Sequence, residues 1–206
     1  MIFKVLFLTL TVVAAQLVFG RRFQDDVVEW VDYHVNSIPE NAINVGKTQD
    51  NKNIYIGLVH FVHEQAEGLV PTSIVEGEEC AYGLQEFNIT QYCDNIKILV
   101  GRNDYKDTLY WQYVAAINFT KLFNSDDHRP VRAGWETFRW PCNTSIYIGR
   151  PNFDNRNWVG KIFNSHINWQ WNDLPAYPYI NFSDPYKYDH IRVQWAGVYD
   201  VLMFKN

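Results

Sequence analysis

Eight tryptophans carry the most distinctive chemistry in this chain, and seven lie at or after Trp111: Trp111, Trp135, Trp140, Trp158, Trp169, Trp171 and Trp195. In Trp169-Gln170-Trp171 the two indoles are two residues apart, which puts them on one face of an extended segment. Flat apolar rings beside polar groups suit the faces of sugars or the surface of a protein partner. The plainer alternative is core packing in a small sheet protein. His60 and His63 offer two imidazoles, but residues three apart on a strand face opposite sides, so no shared metal ion is expected. Glu76, Glu78 and Glu79 have no spacing that closes a calcium loop and read as a solvated turn. No G-x-S-x-G, H-E-x-x-H or P-loop run occurs, and Cys142, beside Pro141 and a sequon, makes a poor nucleophile. These residues point to binding without catalysis, metal or cofactor.

The elements that must position them are strands. Aromatic residues make up 17% of the 206-residue chain, and aromatic and β-branched residues favour pleated sheets. No long segment keeps a helical period between caps. The run Ile54-Tyr55-Ile56-Gly57 recurs as Ile146-Tyr147-Ile148-Gly149, and 146 − 54 = 92. Each copy follows a polar, turn-like run and leads into an aromatic, Phe61 or Phe153, and then a short apolar stretch. Order shared over this length reads as an internal repeat. The expectation is an all-β fold of two tandem antiparallel β repeats.

Strands are expected around 27–35, 42–46, 53–61, 69–75, 80–84, 96–100, 131–140, 158–163 and 199–204, with alternation at Ile191, Val193 and Trp195. Pro71 implies an edge or a bend. The stretch 124–130 (NSDDHRP) reads as a loop, and 172–188 as an irregular insertion.

Residues 1–20 read as a signal peptide: Lys4 gives a positive start, residues 6–13 are almost wholly apolar, and small residues precede Arg21. No second apolar run approaches the length of a membrane span. The first repeat is then 21–103 and the second 104–206. Secretion agrees with four sequons, at Asn88, Asn118, Asn143 and Asn181. Of three cysteines, Cys80 and Cys93 flank a hairpin and are expected to pair, leaving Cys142 over. The net charge of −5, without a basic face, argues against a nucleic-acid partner.

With both copies in view, the chain resembles the DM-nine repeat family. The motifs are Trp30, then Ile38-Pro39-Glu40-Asn41-Ala42-Ile43 to Gly46, IYIG, Val70-Pro71, Cys80-Ala81-Tyr82 and Ile96-Lys97-Ile98-Leu99. The second copy gives IYIG followed by Arg150, then Gly160-Lys161-Ile162 and Tyr199-Asp200-Val201-Leu202. The resemblance implies a secreted, lectin-like protein that binds glycans of mannose type, often as a homodimer, with roles in innate defence or in salivary or gut secretions. It also implies a sugar site in which a carboxylate early in the polar turn acts with a later lysine, because vicinal hydroxyls need an acceptor and a donor at fixed separation. The resemblance further implies that the two repeats pack face to face about a pseudo-twofold, and it puts the carboxylate position at Thr48 in the first copy, with Asp50 two residues on, and at Trp140 in the second. The lysine position is Ser73 in the first copy and Lys161 in the second. The expected ligand-binding residues are therefore Asp50, Arg150 and Lys161 with Trp140, Trp169 and Trp171. The alternative is a secreted protein-interaction or structural module without sugar binding.

Overall fold

Each IYIG run lies within a strand that has partners on both sides. The computed structural model describes residues 27–63, 66–85, 88–102, 104–115, 122, 128–138, 144–151, 158–163, 179–182 and 198–205. These residues form an antiparallel, nearly all-β protein. Its strands are β1 (Val28–Asp32), β2 (Asn44–Lys47), β3 (Asn53–His63), β4 (Ala66–Val75), β5 (Ala81–Gln85), β6 (Asn88–Tyr92) and β7 (Lys97–Gly101). A single helical turn, α1 (Tyr105–Thr108), leads into β8 (Leu109–Ala115), β9 (His128–Pro130), β10 (Arg132–Phe138), β11 (Thr144–Pro151), β12 (Gly160–Phe163), β13 (Tyr179–Phe182) and β14 (Val198–Lys205). The main strand order is β1-β7-β3-β4-β10-β11-β12-β13; β2 pairs with β3, β5 joins β4 to β6, and β14 pairs with β11, β8 and β9.

The same pairing scheme surrounds both IYIG strands. Asn44 faces Tyr55 and Gly46 faces Ile54, skipping a residue at Val45. Arg132 faces Tyr147 and Gly134 faces Ile146, skipping a residue at Ala133. Both skipped residues are buried apolar side chains. Farther along, Ile56 faces Ser73 and Ile148 faces Lys161. Gly57 faces Ile98 and Gly149 faces Val201. Trp30 faces Leu99 and Trp111 faces Leu202. The hydrogen bonds between strands agree: Ile56 N donates to Ile43 O at 3.3 Å and Ile148 N to Val131 O at 3.3 Å.

Alternation along the strands divides the apolar side chains into layers. Ile54, Ile56 and Leu58 of β3 join Ile148, Leu202 and Phe204 in one core to which both halves contribute. Val59, Phe61, Val70 and Ile98 form a second core within the first half. Tyr199, Val201 and Met203 form a third within the second half, with Val114 and Ile162. Each fully buried aliphatic chain of this size contributes about 1.5–3 kcal/mol, so the shared layer gives the two halves a strong reason to stay together.

Three expectations change. Pro71 lies in a strand with neighbours on both sides, not on an edge. It is tolerated because β4 changes partner there: β10 pairs with it up to Leu69 and β5 from Ser73, so no ladder bond is asked of the missing N–H. The 124–130 stretch is not all loop, since His128–Pro130 pairs with β14. The 172–188 stretch is not wholly irregular, since Tyr179–Phe182 pairs with β12. The Cys80–Cys93 disulfide forms as expected, across the base of the β5–β6 hairpin. Residues 1–20, Asn118, Asn143, Cys142, Trp140, Trp169 and Trp171 and the alternation at 191–195 lie outside the described residues.

At the seam between the halves, β4 and β10 approach so closely that a Cβ on Gly134 would collide with the Leu69 carbonyl oxygen. Gly134→Ala should lower the unfolding free energy by about 2 kcal/mol or more, as read by urea titration. Burial pushes the Tyr33 phenol from its ordinary 10 up to about 12. Between those values the unfolded chain releases a proton that the folded chain keeps, so stability falls as pH rises through that window. Tyr33→Phe should flatten that decline in urea titrations across pH 10–12.

Candidate functional site

Lys161 is the least expected side chain in the interior. It sits in β12, directly opposite Ile148 of the second IYIG strand, and is 3% exposed. A lysine is almost never buried without a partner, and its partner is Glu136 of β10. The ammonium Nζ donates to Glu136 Oε1 at 2.8 Å and to Oε2 at 2.7 Å. The carboxylate side chain is itself only 12% exposed. Gly68 of β4 faces Glu136 across the seam, and a Cβ on Gly68 would come within 2.6 Å of the Trp135 carbonyl oxygen. The glycine therefore lets β4 close against the strand that carries the carboxylate.

Glu136 escaped the sequence reading. The spacing of 92 holds only along the IYIG strands. Before them the offset is 88: Asn44 and Arg132, and Gly46 and Gly134, hold matching places, and 48 + 88 = 136. By this spacing Glu136, opposite Gly68, holds the place in the second half that Thr48 holds in the first, while Trp140 lies outside the described residues. The turn before the second IYIG strand is four residues longer, since 145 − 135 = 10 where 53 − 47 = 6. The connection after it is four shorter, since 161 − 149 = 12 where 73 − 57 = 16. The two changes cancel, and 73 − 48 equals 161 − 136, both 25. That equal spacing was the available signal.

The matching place in the first half carries neither charge. Thr48 closes its own turn, its Oγ1 accepting from Lys52 N at 3.1 Å. The Ser73 hydroxyl oxygen is buried and accepts the Val159 backbone N–H at 2.8 Å. Asp50 lies in the exposed turn between β2 and β3, while the carboxylate on the Lys161 ammonium is that of Glu136.

Arg150 occupies a different constellation. Its Nε donates to Asp200 Oδ2 at 2.9 Å, and its guanidinium stacks over the Trp111 ring, 4.4 Å from the centroid. Arg150 and Asp200 are directly opposed on β11 and β14. This arrangement clamps β8, β14 and β11 together through charge and cation–π attraction. The first half has Leu58, Lys97 and Trp30 in the matching places, and there Lys97 pairs with Asp32 at the exposed surface. The structure thus assembles Glu136 with Lys161 and, separately, Arg150 with Asp200 and Trp111.

His60 Nε2 lies 3.0 Å from Glu67 Oε1, which accounts for one of the two imidazoles. Among the described residues no cluster of histidine, cysteine and acidic side chains could hold a metal ion. No described helix is long and apolar enough to cross a membrane.

A family model, the DM9 repeat, matches residues 16–89. The match runs from before Trp30 through the first IYIG strand and Cys80-Ala81-Tyr82, and bears out the resemblance on those motifs; residues 96–99 and the second copy lie beyond it. No curated protein matches the chain.

Removing one member of a buried ion pair strands the other charge, at a cost of about 3–5 kcal/mol. Lys161→Met and Glu136→Leu alone should each destabilise by that order, whereas the double substitution should recover most of the loss. A double-mutant cycle by chemical denaturation reads the coupling.

Proposed function

From the premise that this chain carries a DM9 repeat at residues 16–89, we propose that it is a secreted, non-enzymatic carbohydrate-binding protein whose working site is the Glu136–Lys161 pair. The observation that carries this reading is the bond between a buried ammonium and both oxygens of one carboxylate. Such a pair sets a donor and an acceptor at a fixed separation, which vicinal sugar hydroxyls require. Lys161 is the lysine step of the resemblance, and Glu136 stands 25 residues before it, as Thr48 at the first copy's carboxylate position stands before Ser73. Mannose-type glycans on microbial or host surfaces are the ligand class in this reading, and innate defence or a salivary or gut secretion is its setting.

A disulfide at Cys80–Cys93 supports an oxidising, extracellular compartment, and the four sequons are the proposed glycosylation sites. The two halves are, in this reading, divergent copies related by a pseudo-twofold. The shared pairing around Ile54–Gly57 and Ile146–Gly149 supports it; a crystal structure in which no half-turn superposes the halves would remove that part.

The competing reading is a protein-interaction or structural module. It draws on the same burial, since a pair that satisfies itself at 3% and 12% side-chain exposure already has a structural role. Titration calorimetry with methyl α-mannoside and a high-mannose glycan separates the two. The proposal expects saturable binding that Glu136→Gln weakens about tenfold or more, the scale of one lost charged hydrogen bond. Wild-type protein that binds no glycan, or binds equally well with Glu136→Gln, favours the module.

A further inference from the structure

The first half lacks the charge pair, and the residue in the lysine's place touches the second half. Ser73 stands where Lys161 stands in the other half: it faces Ile56 on the first IYIG strand, as Lys161 faces Ile148 on the second. Ser73 is fully buried. Its Oγ accepts the Val159 backbone N–H at 2.8 Å, from 86 residues away. Val159 is buried and immediately precedes β12, in which Lys161 is the second residue. A buried backbone N–H without an acceptor costs about 1–3 kcal/mol, so the entry of the lysine strand is pinned to β4 by this bond.

We infer that Ser73 is a positioning residue for the Lys161–Glu136 site: the vacated lysine position of the first half holds the start of β12 and so sets where the Lys161 ammonium meets its carboxylate. The functional part of this inference rests on the sugar-binding reading above; the positional part does not. The geometry is closed on itself. β4 carries Ser73 at one end and, at the other, Gly68 opposite Glu136. One strand of the first half therefore contacts both elements that bring the pair together. A chain with lysine at residue 73 could not make the same short contact with the Val159 N–H. The uncharged residue at 73 and the docking of β12 on β4 therefore go together.

The test uses the full-length secreted protein with Ser73→Ala, and Tyr33→Phe as a control that also loses a buried-end hydrogen bond, to Glu78 O, away from β12. The first readout is the hydrogen exchange of the Lys161 ammonium by nitrogen-detected NMR. A site held in place predicts slow exchange in the wild type and in Tyr33→Phe, and exchange at least about fivefold faster in Ser73→Ala, as expected when a neighbouring hydrogen bond is lost. The second is the affinity for methyl α-mannoside well below the unfolding temperature, where Ser73→Ala should bind at least about fivefold more weakly on the same grounds and Tyr33→Phe as the wild type does. An ammonium whose exchange is the same in Ser73→Ala and wild type overturns the inference, whether or not glycans bind. Unchanged affinity beside changed exchange overturns its functional part. A wild type that binds no mannoside defeats the sugar-binding reading alone, and the ammonium exchange then decides the positional claim.

Discussion

A lysine ammonium withdrawn from water has to be met by a counter-charge, and that requirement organises the second half of this protein. The Lys161–Glu136 pair joins β12 to β10 across the strand between them, β11. Breaking it would cost about 3–5 kcal/mol, against a total stability for a domain of about 5–15 kcal/mol. The pair therefore needs its backbone to be rigid. That rigidity comes from β11, whose Ile146 and Ile148 are fully buried, and from β4, which closes on β10 through two glycines that leave no room for a side chain. The site is a consequence of strand register: a slip of one residue would turn Lys161 to the opposite face.

The two halves share a strand-pairing scheme but differ in chemistry. Around the IYIG strands they keep the same bulge, the same cross-strand partners and the same connecting hydrogen bonds. Away from them the chemistry diverges. The second half holds Glu136 with Lys161, and Arg150 with Asp200 and Trp111. The first half holds Thr48, Ser73, Leu58 and an exposed Lys97–Asp32 pair in the corresponding places. Among the described residues the buried carboxylate–ammonium pair lies in the second half, and the first half supplies part of its support through the shared core and the Ser73–Val159 contact. A chain arranged in this way has an uneven division of labour, with charge on one side and packing on the other.

Much of the fold was legible because it depends on alternation. Ile54, Ile56, Ile146 and Ile148 announce strands buried on one face, and Ile96 with Ile98 does the same for β7. The Cys80–Cys93 bond follows from a short hairpin that needs its base tied. The errors arose where context overrides local chemistry. Pro71 reads as marking an edge or a bend, and the change of partner along β4 is what makes a place between neighbouring strands tolerable. His128–Pro130 looks like loop because its composition is polar, yet β14 offers it a ladder. Glu136 was missed because an insertion before the strand and a deletion after it move the carboxylate relative to IYIG while leaving the carboxylate–lysine spacing intact. Strand motifs are easy to align but say little about loop lengths; the spacing between two residues that must meet is the sounder guide. Arg150, read as a ligand group from its place after IYIG, turns out to be held by Asp200 and Trp111, a tertiary contact that no spacing reveals.

The central claim is the proposal that a sugar diol binds at the Glu136–Lys161 pair. The most direct measurement is an NMR titration of isotope-labelled protein with methyl α-mannoside, following the Glu136 carboxylate carbon and the Lys161 ammonium. The account predicts saturable shifts centred on those two groups and their strand neighbours Gly68 and Ile148, with Thr48, Asp50 and Ser73 Oγ's partner Val159 moving less. Shifts centred on the first half, or none at concentrations that saturate a known mannose-binding lectin, would contradict it.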